Sequence, residues 1–311
     1  MRINAALQIF AGANGAIDLR NDGRFVWYEL MTTDIAAARA FYSQVTGWAV
    51  QDASTPDLAY NRFATGGSAV GGLMELPEAA RKMGATPRWM GYVGVSDIKA
   101  ATDHITRLGG AVYVPPTDSN IGRISVVADP QTATFALVEG LIQGQQEPAD
   151  LDQLGHVGWH ELLAADWQKA FVFYGELFGW QKADSEIGTP TNTYQLFSAA
   201  GQTIGGMFTK RPIEPVPYWL YYVNIGDIDA AAERVRRGGG EIFEGPFEVP
   251  GGSWIARCID PQGSIFALQG QRSLDGIARD PASEVGWSSE WRGISTKGRL
   301  VTPRGKSRTS K

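Results

Sequence analysis

The sequence predicts an α+β protein of two tandem halves, each a pair of β-α-β-β-β units. Three observations carry this expectation. His156 to Trp180, HVGWHELLAADWQKAFVFYGELFGW, is a near copy of Phe25 to Trp48, FVWYELMTTDIAAARAFYSQVTGW, and Asp34/Asp166, Tyr42/Tyr174 and Trp48/Trp180 share one offset of 132 positions. Repetition of this kind marks a duplicated supersecondary unit. A fainter regularity doubles the count: 13 positions separate Asp34 from Gly47, Asp97 from Gly110, Asp166 from Gly179 and Asp227 from Gly240. Finally, Asp129-Pro130-Gln131 and Asp260-Pro261-Gln262-Gly263 precede the last strand of each half, TFALVEG and IFALQG. Asp-Pro starts a turn, and Gly263 tolerates positive φ.

Residues 1–22 show no clear period and are expected to be an irregular leader, since they make a weak secretory signal. Residues 24–31, RFVWYELM, alternate as a strand. Asp34 is placed to cap the helix that follows, with Thr33 as the competing residue. Ala38, Phe41, Tyr42 and Val45 fall on one helical face, and Gly47 stands where a left-handed terminal residue is needed. Trp48 to Val50, Tyr60 to Ala64 and Ala69 to Met74 read as short strands punctuated by Gly66-Gly67 and Gly71-Gly72. The second unit begins with the strand Trp89 to Val95, and Asp97 caps the helix IKAATDHITRLGG. Its three strands are expected near 111–114, 123–127 and 134–138. Domain 1 is thus 23–142, a polar linker spans 143–153, and domain 2 is 154–271. From Trp291 onward the chain holds seven Lys or Arg and no acidic residue, so 272–311 is expected to be a disordered basic tail. Binding of RNA or anionic lipid by that tail stays open.

Composition narrows the function. The chain has 311 residues, 43% apolar and 20% charged, which describes a globular protein with true cores. A net charge of −5 argues against nucleic-acid binding through the folded domains. No run of about 18 apolar residues occurs, so no membrane association and a cytoplasmic location are expected. The single cysteine, Cys258 in IARCID, reads as a buried structural thiol.

The four units, the Asp-capped helices ending in Phe-Tyr and Gly-Trp, and the Asp-Pro turns together resemble the vicinal oxygen chelate superfamily. Its members include glyoxalase I, bleomycin-resistance proteins, fosfomycin-resistance enzymes and extradiol dioxygenases. The resemblance is closest to the tandem glyoxalase-like proteins of actinobacteria labelled hydroxylase or antigen. It implies that each pair of units forms an open barrel whose concave face holds the ligand. In metal-using members a His or Gln stands seven residues before the capping Asp, and a Glu seven after the Asp of the Asp-Pro turn. Here those positions are Trp27, Trp159, Met90, Leu220, Ala136 and Ala267. None supplies the imidazole, carboxylate or thiolate that divalent sites use. His104 lies on a helix without a partner at ligand spacing. The expectation is no cofactor. A divalent metal would require a one-residue slip of strand register, which exchanges the two faces and would admit Tyr28, His160 or Glu139.

Glu29 and Glu161 each stand five residues before the capping Asp and share a strand face with Trp27 and Trp159. As catalytic candidates they would be bases with pKa values raised by burial. Beside an indole they could instead bind a cationic or aromatic ligand. The competing structural account is that they satisfy backbone N–H groups or pair with an Arg across the sheet. Tyr92 and Tyr222 occupy matching places on the partner strands and line either a pocket or the core. Phe41, Tyr42, Phe173 and Tyr174 read as helix-to-sheet core. Gly71-Gly72 and Gly205-Gly206 read as bulges or close-packing sites rather than a phosphate loop. The function expected is a metal-free small-molecule binding protein with a small organic ligand in one or both barrels, acting as monomer or homodimer. Two alternatives stay open: an enzyme of lactoylglutathione lyase, isomerase or dioxygenase type, and an interaction protein with filled pockets.

Overall fold

A computed structural model describes residues 22–56, 58–142, 150–187 and 193–273. The leader before residue 22, most of the linker and the basic tail from residue 274 lie outside the described residues.

The first half runs β1 (Phe25–Thr32), α1 (Ile35–Thr46), β2 (Ala49–Asp52), β3 (Tyr60–Thr65), β4 (Ser68–Glu75), α2 (Glu78–Lys82), β5 (Arg88–Gly94), α3 (Ile98–Arg107), β6 (Ala111–Ser119), β7 (Gly122–Ala128) and β8 (Thr134–Glu139). The second half repeats the plan: β9 (Val157–Ala164), α4 (Trp167–Phe178), β10 (Gln181–Ile187), β11 (Tyr194–Ala199), β12 (Gln202–Thr209), β13 (Tyr218–Asp227), α5 (Ile228–Arg237), β14 (Glu241–Glu248), β15 (Trp254–Ile259) and β16 (Ile265–Gln271). Each half is one open, curled eight-stranded sheet, ordered β2-β3-β4-β1-β5-β8-β7-β6 and β10-β11-β12-β9-β13-β16-β15-β14. The first strands of the two units meet antiparallel at the centre, β1 on β5 and β9 on β13.

The repeated aspartates cap as their spacing demands. Asp34, Asp97, Asp166 and Asp227 each accept a hydrogen bond from a backbone N–H of the first helical turn, satisfying donors that lack an intrahelical partner. Gly47 and Gly179 end their helices in the left-handed conformation, at φ 78° and 70°. In the other two units the left-handed residue is one earlier, Gly109 at φ 86° and Gly239 at φ 83°. Gly110 and Gly240 hold the 13-residue spacing for a different reason. A Cβ on Gly110 would stand 2.5 Å from the Ala128 carbonyl, and one on Gly240 would stand 2.9 Å from that of Ile259. The loop over residues 76–88, without a readable motif, contains the short helix α2.

One face of each sheet carries the helices and also the other half of the molecule. The two large apolar clusters each mix residues of both halves. The repeated Phe-Tyr and Gly-Trp pairs form this junction as well as the helix-to-sheet core. The Tyr42 hydroxyl donates to Asp260 at 3.0 Å, and Tyr174 donates to Asp129 at 3.2 Å. Trp48 Nε1 donates to the Gly155 carbonyl, and Trp180 Nε1 to that of Gly23. The Asp-Pro turns are thus tied to the opposite half through buried hydroxyls, where each satisfied polar group avoids a desolvation cost. Among the described residues no helix is long and apolar enough to cross a membrane.

Candidate functional site

Alternation along β1 and β9 sends Trp27, Glu29 and Met31 to the concave face, and Tyr28 and Leu30 to the helix side. In the first barrel Glu29 is buried beneath two tyrosines. Tyr60 donates to Oε1 at 2.5 Å, Tyr92 donates to Oε2, and Trp27 Nε1 donates to the Tyr60 hydroxyl at 3.2 Å. Burial raises the Glu29 carboxyl above its ordinary range, opposed by the hydrogen bonds from Tyr60, Tyr92 and Trp27. The same burial, with Glu29 alongside, pushes both tyrosines up, so they remain donors at neutral pH.

In the second barrel the corresponding acid has a cation. Arg257 Nη2 donates to Glu161 at 2.6 Å, Nη1 donates to Glu244 at 2.5 Å, and Nε donates to the Tyr222 hydroxyl at 3.0 Å. Tyr222 in turn donates to Glu161 at 2.7 Å, and Trp159 Nε1 donates to Tyr194 at 2.8 Å. Burial alone would lower the Arg257 pKa, but Glu161, Tyr222 and Glu244 hold it well above the usual value. The guanidinium also lies 5.8 Å from the Phe208 ring centroid. Trp159, Phe208, Tyr218 and Phe247 stand around this floor, each partly exposed.

All six sequence-proposed residues therefore gather as two clusters, Trp27, Glu29 and Tyr92 in one barrel, Trp159, Glu161 and Tyr222 in the other. Sequence reasoning missed four more: Tyr60, Tyr194, Arg257 and Glu244. Arg257 had a signal, because a charge inside the apolar run WIARCI must find a buried partner. In β7 its structural counterpart is Val126, which pairs with Ala136 as Arg257 pairs with Ala267.

Two glycines make room for the missed tyrosines. A Cβ on Gly72 would lie 2.0 Å from the Tyr60 hydroxyl oxygen, and one on Gly206 would lie 2.1 Å from the Tyr194 ring. Gly72→Ala is expected to displace Tyr60 from Glu29 and cost about 1–3 kcal/mol. Urea unfolding of the variant measures that loss, and an unchanged midpoint would contradict the placement of Tyr60.

The residues that a shifted register would offer a metal lie elsewhere. His160 is on the helix-side face, stacked on Phe25 at 4.4 Å between centroids. Its Nδ1 lies 2.7 Å from the Ile204 carbonyl, which can only accept, so Nδ1 carries the proton. Nε2 then accepts from the Tyr28 hydroxyl at 2.6 Å. Glu139 accepts from the Ile98 N–H at the start of α3. The six family ligand positions do face the concave sides, but as Trp27, Met90, Ala136, Trp159, Leu220 and Ala267. Among the described residues no three His, Cys, Asp or Glu converge on a possible metal position. The donor set does not fit the family metal. Cys258 is buried, with its thiol pushed up to about 12, and is no nucleophile.

Residues 27–138 match the family of the glyoxalase-like domain, and residues 153–268 match the glyoxalase/bleomycin resistance protein/dioxygenase superfamily. A Mycobacterium tuberculosis protein named "Putative glyoxylase CFP32" is 31% identical over 248 residues, covering 78% of this chain and 92% of that protein. The chain belongs to the glyoxalase/bleomycin resistance protein/dioxygenase superfamily. "Anthracycline biosynthesis protein DauV" of Streptomyces sp. strain C5 is 28% identical over 275 residues, covering 84% of this chain and 98% of that relative. Two solved structures share the fold of this superfamily member. The Mn(II)-bound glyoxalase of Novosphingobium aromaticivorans has a TM-score of 0.54 at 15% identity, covering 81% of this chain and 83% of its own. Homoprotocatechuate 2,3-dioxygenase of Brevibacterium fuscum has a TM-score of 0.58 at 15% identity, covering 86% of each chain.

Proposed function

We propose that the chain is a metal-independent binding protein for small planar aromatic molecules, with the principal pocket in the second barrel. The observation that carries this is the ring of partly exposed aromatic side chains, Trp159, Phe208, Tyr218 and Phe247, around a hydrogen-bonded ionic floor. Apolar walls with a few fixed polar groups are the usual composition of small-molecule sites. Glu161 is held by Arg257 and Tyr222, so it orients and neutralises rather than abstracts protons. The relative named for anthracycline biosynthesis supports a flat, fused aromatic ligand. Fold alone does not bring metal chemistry with it, and the ligand positions lack donors. The protein acts as a monomer or homodimer in the cytoplasm, with its ligand as its partner.

The test is quenching of tryptophan fluorescence by 1,4-dihydroxyanthraquinone, with metal content measured on the same sample. The expected result is saturable quenching without stoichiometric metal, weakened about tenfold or more by Trp159→Ala, the scale of losing one well-placed aromatic contact. Equal binding by the variant, or one tightly held metal per chain, would sink the reading.

A second reading has one observation behind it, the raised pKa of Glu29 beside two tyrosine hydroxyls. It makes the first barrel a proton-transfer site. Both carboxylate oxygens already accept hydrogen bonds, so Tyr60 would have to move before Glu29 met a substrate.

A further inference from the structure

Across the first sheet one row of residues runs Arg62, Gly72, Glu29, as direct partners on β3, β4 and β1. Residues in such a row point to the same face, with neighbouring strands about 4.8 Å apart. Arg62 and Glu29 would be an obvious ion pair across the glycine. Tyr60 prevents it. Its hydroxyl occupies the space above Gly72 and itself takes the Glu29 oxygen.

Arg62 is left half-buried on the concave face. Its Nε is buried without a hydrogen-bond partner, and no carboxylate pairs with it among the described residues. The second barrel shows the contrast. There Leu196 takes the place of Arg62 in the row Leu196, Gly206, Glu161, and the barrel's own cation, Arg257, is held by two carboxylates. One barrel has a neutralised guanidinium and the other a guanidinium still seeking an acceptor. Partly buried Leu58 and Met74 belong to the same concave cluster and supply apolar surface.

We propose that Arg62 makes the first barrel a second binding site, for the carboxylate of a small organic acid whose apolar body packs on the concave face. The guanidinium fork matches a planar carboxylate with two parallel hydrogen bonds, which an ammonium cannot reproduce. The two barrels then differ in ligand class, an acid in the first and a flat aromatic in the second. This site stands independently of the second barrel's reading.

The test is calorimetric titration of the full chain with cyclohexanecarboxylate, its neutral counterpart cyclohexylmethanol, and inorganic phosphate. Wild type, Arg62→Leu and Arg62→Lys are compared. Cyclohexanecarboxylate, which has no aromatic ring for the second barrel, is expected to bind roughly tenfold or more weakly to Arg62→Leu than to wild type, with Arg62→Lys between. Cyclohexylmethanol is expected not to distinguish wild type from Arg62→Leu. Thermal melting establishes that each variant is folded, and Arg62→Lys carries the test if Arg62→Leu does not fold. An acid that fails to saturate wild type, or binds Arg62→Leu equally, overturns the proposal. Phosphate binding as tightly as the acid through Arg62 would overturn the assignment to an organic acid in favour of a bare anion site.

Discussion

Arg257→Leu is expected to destabilise the protein by about 3–5 kcal/mol, the cost of breaking a buried ion pair from one side. Arg257, Glu161 and Glu244 have side chains at most 8% exposed. Removing the guanidinium strands two carboxylates in an apolar barrel and takes the donor from the Tyr222 hydroxyl. Among the described residues Glu244 keeps only a longer contact of 3.4 Å with half-exposed Arg211. Arg257→Lys is expected to fall between, because one ammonium cannot hold Glu161, Glu244 and Tyr222 in the geometry of a planar fork. The first barrel supplies the control. Val126 stands at the equivalent place there, and the acid beside it is satisfied by tyrosines alone. Converting the whole charged group at once, with Glu161→Gln and Glu244→Gln added to Arg257→Leu, is therefore expected to recover part of the loss. Denaturant midpoints measure all three variants. A loss below about 1 kcal/mol for Arg257→Leu would mean that water reaches the two acids and that the floor is not a dry ionic network.

The repeat was legible because capping and docking both impose residue identity. Asp34, Asp97, Asp166 and Asp227 must supply a side-chain oxygen to a helix start, and Tyr42 and Tyr174 must reach the Asp-Pro turn of the opposite half. Period two on β1 and β9 placed Glu29 beside Trp27 and Glu161 beside Trp159. It did not tell which partner would satisfy each acid. The sequence reading kept an arginine across the sheet as one account, and that is what Glu161 has. Glu29 has Tyr60 and Tyr92 instead. That difference depends on the folded sheet, which brings Tyr60 and Tyr92 to Glu29 from 31 and 63 positions away and Arg257 to Glu161 from 96. Gly72 and Gly206 suggest bulges or close-packing sites in the sequence, but the tyrosines they admit come from a neighbouring strand and leave no local mark. The Tyr42 and Tyr174 hydroxyls bind the two halves across a face that alternation alone assigns only to the helices.

His160 is expected to make stability fall as pH drops below neutral. Its pKa in the folded chain is lowered to about 4 by burial, against the hydrogen bond to Ile204, while an unfolded histidine titrates near 6.5. Above the unfolded value both states are neutral and this group contributes no pH dependence. Between about 6.5 and about 4 the unfolded chain takes up a proton that the native chain refuses, so stability declines by about 3 kcal/mol over that window. Below it both states are charged and the loss is complete. The groups facing the ring, Tyr28 and Tyr221, have pKa values raised by burial and stay neutral throughout. Glu29, Asp129 and Asp260 act in the opposite sense. Burial raises each, so the native state holds their protons more tightly and gains relative stability as pH falls. The net acid curve mixes both effects. Comparison with His160→Gln separates them, since the amide can donate to Ile204 and accept from Tyr28 without titrating. The variant is expected to be less stable at neutral pH, through lost stacking on Phe25, and the gap to wild type is expected to narrow as pH falls towards about 4. Parallel curves would show that the imidazole is solvated. A buried histidine with one nitrogen donating to a carbonyl and the other accepting from a tyrosine is a fixture of the junction between halves. Its neutrality at physiological pH comes from that burial.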